Sequence, residues 1–252
     1  KIAKTLGASP EEIYFTAGGS ESDNWALKSA AFGLRDKGNH IITTKIEHHA
    51  ILNTCAYLEK NGFEVTYLDV DSEGFVSLED VENAITEKTI LISVMFANNE
   101  IGTIEPVCEI GEIAHKHGIL FHTDAVQAMC HVPINVTEMN IDLLSASAHK
   151  FHGPKGVGFM YMKNSAKLEP FIHGGAQERA RRAGTSNVPG IVGMGQAVKL
   201  ALSTLDKDTH TIINMRNYIV DRILGEIPDV TFDGPCIDAN AVSAGSPAGS
   251  LK

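Results

Sequence analysis

The sequence has little positive charge and no long apolar run. Lysine and arginine total 21 against 31 aspartate and glutamate residues, which gives a formal net charge of −10. Direct nucleic-acid binding needs a basic face for the phosphates, so we expect none. Because no uninterrupted apolar run reaches the roughly 18 residues of a membrane span, we also expect no membrane contact.

Cysteines are few and scattered, at Cys55, Cys108, Cys130 and Cys236. No pair has the C-x-x-C spacing of zinc knuckles or redox motifs, and the histidines do not cluster, so no metal site is predicted. Isolated cysteines in a chain of this size are typical of a reducing compartment, which predicts a cytoplasmic protein with buried thiols. The chain also lacks a G-x-G-x-x-G motif after its first predicted strand, which argues against dinucleotide binding.

Strand-like and helix-like segments alternate along most of the chain. Strands are predicted at 13–16, 40–44, 63–69, 89–96, 119–123, 142–147 and 157–162, and helices at 20–37, 50–61, 77–86 and 107–117. This rhythm favours an α/β fold with an open, mostly parallel sheet and helices on both faces. Ligands of such folds lie beyond the carboxyl ends of the strands, where several polar residues of this sequence fall.

The pattern changes after residue 188. Two helices are predicted there, a small apolar one at 188–204 and an amphipathic one at 209–227. We therefore place a domain change near Leu205. The tail 238–252 is rich in glycine, serine and alanine, a composition typical of a flexible loop.

Three strand ends carry residues that point to chemistry. The turn at 16–22 contains glycines and Ser20 before a helix, which suits a phosphate but is equally an ordinary strand-to-helix turn. Asp124 ends a buried strand, where a carboxylate is paired, functional or a cap of the next turn. Lys150 follows another apolar strand, so we expect it to be partly buried and able to form an imine, although an isolated lysine is usually an exposed loop residue.

Two further segments leave alternatives open. His48 lies at a strand-to-helix junction and is a helix cap, a metal ligand or a stacking ring. The segment 173–185 holds three arginines and three glycines, which fits a solvated basic loop or a site for a phosphate, a carboxylate or a second subunit.

Six motifs, taken in order, resemble the cysteine desulfurases of the iron–sulfur cluster (NifS-like) type, within the class V aminotransferase-like group of fold-type-I pyridoxal-phosphate enzymes. They are TAGGSESDN at 16–24, EHHAIL at 47–52, NNEIGT at 98–103, HTDAVQ at 122–127, SAHKFHGPKGVG at 147–158 and HGGAQERARRAGT at 173–185. The resemblance extends to about Gly234. It implies an aspartate aminotransferase-like large domain, with a seven-stranded, mostly parallel sheet in an α/β/α sandwich, plus part of a small α+β domain.

The resemblance also implies site residues and partners. Lys150 would be the Schiff-base lysine, Asp124 would pair with the pyridine nitrogen of pyridoxal 5'-phosphate, and His48 would stack on its ring. The remaining expected contacts are Gln127 to the phenolic oxygen, Asn99 to the cofactor oxygen or the substrate carboxylate, Gly19, Ser20, Ser147 and His149 to the phosphate, and Thr185 to the phosphate of the partner subunit. The resemblance further implies a homodimer, an L-cysteine substrate and a sulfur-acceptor protein such as an iron–sulfur scaffold.

The implied reaction converts L-cysteine to L-alanine and an enzyme persulfide for iron–sulfur cluster assembly or tRNA thiolation. The sequence departs from the family where the nucleophilic cysteine is expected, since 242–246 begins the matching loop and 247–250 contains no cysteine. We interpret 1–205 as the cofactor-binding domain without its N-terminal arm. We interpret 206–252 as an incomplete small domain with segments missing near 237/238 and 246/247, rather than as a truncated protein. Alternative functions are a selenocysteine lyase or another class V enzyme, and a non-catalytic relative without the nucleophile.

Overall fold

A computed structural model of the chain describes residues 1–166 and 168–235. The glycine-rich tail, Cys236, the two predicted gaps and the loop at 242–246 lie outside the described residues. The strands are β1 Ile13–Thr16, β2 His40–Thr44, β3 Glu64–Leu68, β4 Thr89–Ser93, β5 Leu120–Asp124, β6 Leu143–Ser147 and β7 Gly158–Met162. The helices are α1 Ile2–Thr5, α2 Gly19–Gly33, α3 His49–Glu59, α4 Leu78–Asn83, α5 Val107–Lys116, α6 Gln177–Ala180 and α7 Val188–Glu226, with 3-10 helices at Pro10–Glu12 and Ala148–Phe151.

The seven strands form one sheet in the order β1-β7-β6-β5-β4-β2-β3. β7 is antiparallel to both of its neighbours, β1 and β6, so β1 and β6 run the same way. The other neighbouring pairs are parallel. The prediction of a mostly parallel seven-stranded sheet is confirmed, and the carboxyl ends of six strands meet at one edge.

Consecutive residues of the central strands point to opposite faces of the sheet. Ile41 packs into a core with Trp25 of α2 and Ile51 of α3, whereas Ile42 packs into a second core with Ile110 of α5. Each of these side chains is fully buried. Both faces of the sheet are therefore covered by helices, which gives the α/β/α arrangement and buries the central strands, including polar residues such as Thr43 and His122.

Helix α7 is continuous where two helices were predicted. The stretch 205–208 contains neither glycine nor proline, so nothing in it ends a helix. The predicted domain boundary near Leu205 lies inside this helix and stays a prediction. Met194 and Val198 of α7 are buried, whereas the second half of the helix is largely exposed.

Helix α7 also has the length and composition of a membrane span. It contains an 18-residue window with a mean hydropathy of 1.2, of which 22% is buried. A single helix of this kind is weak evidence, because core helices of soluble proteins meet the same criteria. The expectation of no membrane contact stays a prediction.

A close backbone approach joins β7 to the turn after β1. A Cβ atom on Gly158 would lie 2.5 Å from the Ala146 carbonyl oxygen and 2.7 Å from Gly18 Cα. Only glycine fits at position 158 without displacing backbone atoms. This contact sets the position of the N-terminus of α2.

We expect Gly158→Ala to lower the free energy of unfolding by about 1–3 kcal/mol, because the added methyl group must displace backbone atoms on two sides. Gly225→Ala is the control, since a Cβ at that helical position meets nothing within 4 Å. That variant should leave stability unchanged or raise it by about 0.5–1 kcal/mol. Urea unfolding curves of equal slope would measure both, and an unchanged midpoint for Gly158→Ala would contradict the close contact.

Candidate active site

The predicted functional residues do gather at the carboxyl edge of the sheet. His48 follows β2, Asp124 ends β5, and Lys150 follows β6. Ligand atoms of His48 and Asp124 lie within 4.8 Å of one another, and the Lys150 charge acts on the Asp124 carboxyl group. The structure therefore brings together three residues that are far apart in the sequence.

Asp124 is the buried member of this group, with 5% of its surface exposed. Its Oδ1 accepts a hydrogen bond from the Val126 N–H at 2.9 Å, so the residue also caps the following turn as one interpretation predicted. Burial raises the pKa of this carboxyl group. The Val126 N–H, His48 and Lys150 act in the opposite direction and favour the carboxylate.

His48 is the N-cap of α3, the first of its three interpretations. Its Nδ1 accepts a hydrogen bond from the Ala50 N–H at 3.1 Å, which in the neutral ring leaves the proton on Nε2. The ring is exposed on the side of the site. Asp23, His48 and Asp124 each offer one potential ligand atom, and these three atoms lie within 4.8 Å of one another. This spacing does not decide whether a metal ion binds, so the expectation of no metal site stays a prediction.

Lys150 lies on the 3-10 helix Ala148–Phe151, and its side chain is exposed. The expectation of a partly buried lysine was wrong, because the strand ends at Ser147 and the chain turns outward before position 150. Its backbone is held firmly, since the Lys150 carbonyl accepts from His131 Nε2 at 3.1 Å and the Gly153 N–H bonds to the Ala148 carbonyl at 2.8 Å.

Residues suited to an anion lie beside this group. Helix α2 begins at Gly19, with Gly18 at its N-cap, so its first N–H groups lack helical partners. A Cβ on Gly19 would lie 2.5 Å from Val126 Cγ2 and 3.7 Å from Ser147 Cβ, which shows how closely the helix start approaches β6. Ser147 Oγ and His149 Nδ1 are 2.9 Å apart.

The other predicted contacts are less closely defined. Ser20 and Asn99 are exposed, and Gln127 is half-buried one turn after Asp124. Asn98 shapes the loop that presents Asn99, because its Oδ1 accepts from two backbone N–H groups and its Nδ2 donates to the Ile46 carbonyl. Thr185 lies apart from Asp124 in the lining of a cavity of about 140 Å³ that also includes Ala17.

The arginines of the segment 173–185 make contacts within the chain, although most residues of the segment are exposed. Arg182 forms a two-pronged ion pair with Glu21, with nitrogen–oxygen distances of 2.7 and 3.0 Å. Arg179 lies over the Tyr14 ring at 3.9 Å and donates to the Ile13 carbonyl, while Glu178 accepts from the Phe15 N–H. Arg179 and Glu178 thus satisfy backbone groups on the outer edge of β1, where the described part of the chain places no further strand.

A group of buried polar side chains lies beneath the site and was missed by the sequence analysis. Asp23, Glu47 and His122 are each less than 5% exposed. Asp23 lies four and seven residues before Leu27 and Ala30, spacing that places it on the buried face of α2. That periodicity was the available signal, but the motif was interpreted only as a helix start.

Comparisons with known proteins agree with this geometry. The family model for class-V aminotransferases matches residues 1–244. Cysteine desulfurase IscS of Clostridium botulinum is 59% identical over 235 residues, which cover 93% of this chain and 59% of that protein. The corresponding protein of Methanosarcina thermophila is 58% identical over 234 residues, covering 93% and 58%.

Solved structures show the same fold. A NifS-like protein superimposes with a TM-score of 0.87 at 45% identity, covering 89% of this chain and 62% of that one. SspA in complex with cysteine gives 0.77 at 50% identity, covering 79% and 58%. The chain thus spans about 59% of the length of the first curated relative. On the family match and the shared fold, this protein belongs to the class-V aminotransferases.

Proposed function

We propose that this chain is part of a pyridoxal-phosphate-dependent cysteine desulfurase. The observation that carries the proposal is the buried Asp124 carboxylate, with His48 and Lys150 beside it at the carboxyl edge of the sheet. Relatives named as cysteine desulfurases, and a solved neighbour described as bound to cysteine, support this choice of substrate.

The described residues fit the cofactor. Among the described residues, the Asp124 carboxyl group accepts one hydrogen bond, from the Val126 N–H, so it has room for the N–H of a pyridine ring. Gly19, Ser20, Ser147 and His149 supply N–H, hydroxyl and imidazole groups for a phosphate, and the approach of Gly19 to Val126 leaves no space for a larger residue. Gln127 and Asn99 would contact ring substituents, and Thr185 would reach the phosphate of a second subunit in a homodimer.

When bound, pyridoxal phosphate supplies an electron sink that stabilises negative charge at the α-carbon of an amino acid. Lys150 would hold the cofactor through its Nζ and would move a proton to or from the substrate. The Lys150 carbonyl accepts from His131 Nε2 at 3.1 Å, which anchors the backbone that carries this amine. His48 keeps its ring in place through the Ala50 N–H, and Asp124 would supply a negative charge to the ring nitrogen.

Sulfur removal also needs a thiolate, and the described cysteines are unsuited to that task. Burial raises the pKa of the Cys55 thiol to about 12 and that of Cys130 to about 11, and it also raises the pKa of Cys108. Thiols that stay protonated at neutral pH are poor nucleophiles. We propose that a cysteine in the segment missing near 246/247, and none of Cys55, Cys108, Cys130 and Cys236, accepts the sulfur as a persulfide, with release of L-alanine, before transfer to a cytoplasmic acceptor protein.

The first test concerns Lys150. Borohydride reduction of the protein with pyridoxal phosphate should attach the cofactor to Lys150, as seen by peptide mass. Lys150→Ala should abolish the attachment, whereas Lys155→Ala should leave it unchanged, because Lys155 is an exposed lysine on the same turn. Labelling of another lysine in the unaltered chain, or none, would overturn the proposed role.

A spectroscopic test addresses the substrate. L-Cysteine should shift the absorption band of the bound cofactor in the unaltered protein and should have no effect in Lys150→Ala. A desulfurase should form L-alanine and, in the presence of a reductant, sulfide, and alkylation of its thiols should stop this reaction. A lyase needs no enzyme thiol, so activity that survives alkylation would favour that alternative.

Asp124→Asn should weaken pyridoxal-phosphate binding by about tenfold or more, since the lost ion pair is worth at least about one pKa unit. The amide keeps the size of the side chain and removes its charge. Equilibrium titration of the apo-protein with cofactor measures the effect. Unchanged affinity would show that Asp124 does not face the ring nitrogen.

A further inference from the structure

Asp23 is a buried acid for which the proposed chemistry has no role. It lies on α2 with 1% of its surface exposed, and its Oδ1 has no hydrogen-bond partner among the described residues. One of its oxygens lies within 4.8 Å of the ligand atoms of Asp124 and His48. Burying a polar atom without a hydrogen-bond partner costs free energy, and the cost is larger when the group is charged. The charge state of the Asp23 carboxyl group therefore affects the stability of the site.

The nearest basic group does not neutralise Asp23. His122 Nε2 is 3.8 Å from Asp23 Oδ1, but this ring is fully buried and lies between two hydroxyl groups. Its Nδ1 is 2.9 Å from Ser93 Oγ and its Nε2 is 3.0 Å from Ser145 Oγ. Burial lowers the pKa of His122 to about 3, so the ring is neutral at physiological pH.

Glu47 adds a third buried carboxyl group to the cluster. It accepts from the Met95 N–H at 2.7 Å and from the Thr44 hydroxyl at 3.0 Å, and its Oε2 lacks a partner among the described residues. Burial raises the pKa of Glu47 and of Asp23, and the Asp124 charge raises both further. The Ser145 hydroxyl offsets this for Asp23, and no cation contributes to its pKa.

The basic groups at the site favour ionisation of a different acid. His48 and Lys150 both act on Asp124 and lower its pKa, whereas no basic group among the described residues acts on Asp23. Like charges a few ångströms apart in a low-dielectric interior cannot all ionise. Asp124, which these basic groups favour as an anion, therefore keeps the negative charge.

We propose that Asp23 is a positioning residue, a neutral carboxylic acid that leaves Asp124 as the anion facing the ring nitrogen of the cofactor. The role toward the cofactor rests on the function proposed above. An ionised Asp23 would drive a proton onto Asp124 and remove the charge that the ring nitrogen needs. As a neutral acid, Asp23 adds a polar group beneath the site without a negative charge that would oppose ionisation of Asp124.

Infrared spectra of the protein, with and without pyridoxal phosphate, test this charge state directly. The unaltered protein at neutral pH should show the C=O band of protonated carboxylic acids, and Asp23→Asn should lose part of it. Asp142→Asn is the control, since Asp142 is equally buried but ion-paired with Lys163 at 3.1 Å, and it should retain the full band. A band unchanged in Asp23→Asn would overturn the proposal.

Cofactor titration gives a second readout, which tests whether Asp23 acts as an anion. Asp23→Asn keeps the neutral charge and shape, so its affinity for pyridoxal phosphate should stay within about threefold, well below the effect of one pKa unit. A loss of tenfold or more in a folded Asp23→Asn protein would show that Asp23 acts as an anion. A protein that has the Asp23 band but binds no cofactor would overturn the proposed function while upholding the neutral Asp23.

Discussion

The site depends on holding one carboxylate out of water at the end of a central strand. Asp124 is buried, and burial alone would favour its neutral form. The Val126 N–H, His48 and Lys150 act against that preference, and each comes from a different loop at the same edge of the sheet. The parallel arrangement of β2, β5 and β6 is what allows these loops to meet.

Close backbone contacts then place the anion-binding groups next to that carboxylate. Gly158 touches the Gly18 backbone, and Gly19 touches Val126, two residues after Asp124. The start of α2 is therefore placed relative to the end of β5 by van der Waals contact, and the Ser22 hydroxyl also donates to the Phe159 carbonyl of β7 at 3.1 Å. A cofactor that carries both a ring nitrogen and a phosphate would span these two fixed points.

The segment that carries Thr185 is held in place by an ion pair and hydrogen bonds to other residues of the same chain. The Glu21–Arg182 pair connects it to the first turn of α2, and Glu178 and Arg179 seal the open edge of β1. Glu178, Arg179 and Ala180 have positive φ angles, which are unfavourable for residues other than glycine, and these contacts stabilise that backbone conformation. The arginines are thus structural in this chain, and Thr185 is left exposed near Ala17.

The sequence by itself determined the fold class and placed candidate site residues at the ends of strands. The apolar run at β4, the glycines at the turns and the polar residues that follow several strands are local signals, because each depends on its immediate neighbours. Helix limits differed by a few residues, and the two helices predicted over 188–227 form one helix because no residue between them ends it.

Only the tertiary structure decided which charges are near one another. It showed Lys150 exposed, the arginines paired internally, and Asp23, Glu47 and His122 buried beneath the site. Burial and the distance between charges depend on side chains brought together from α2, β2, β5 and β6. The protonation of the cluster, and hence which acid carries the negative charge, is a property of that packing and not of any one segment.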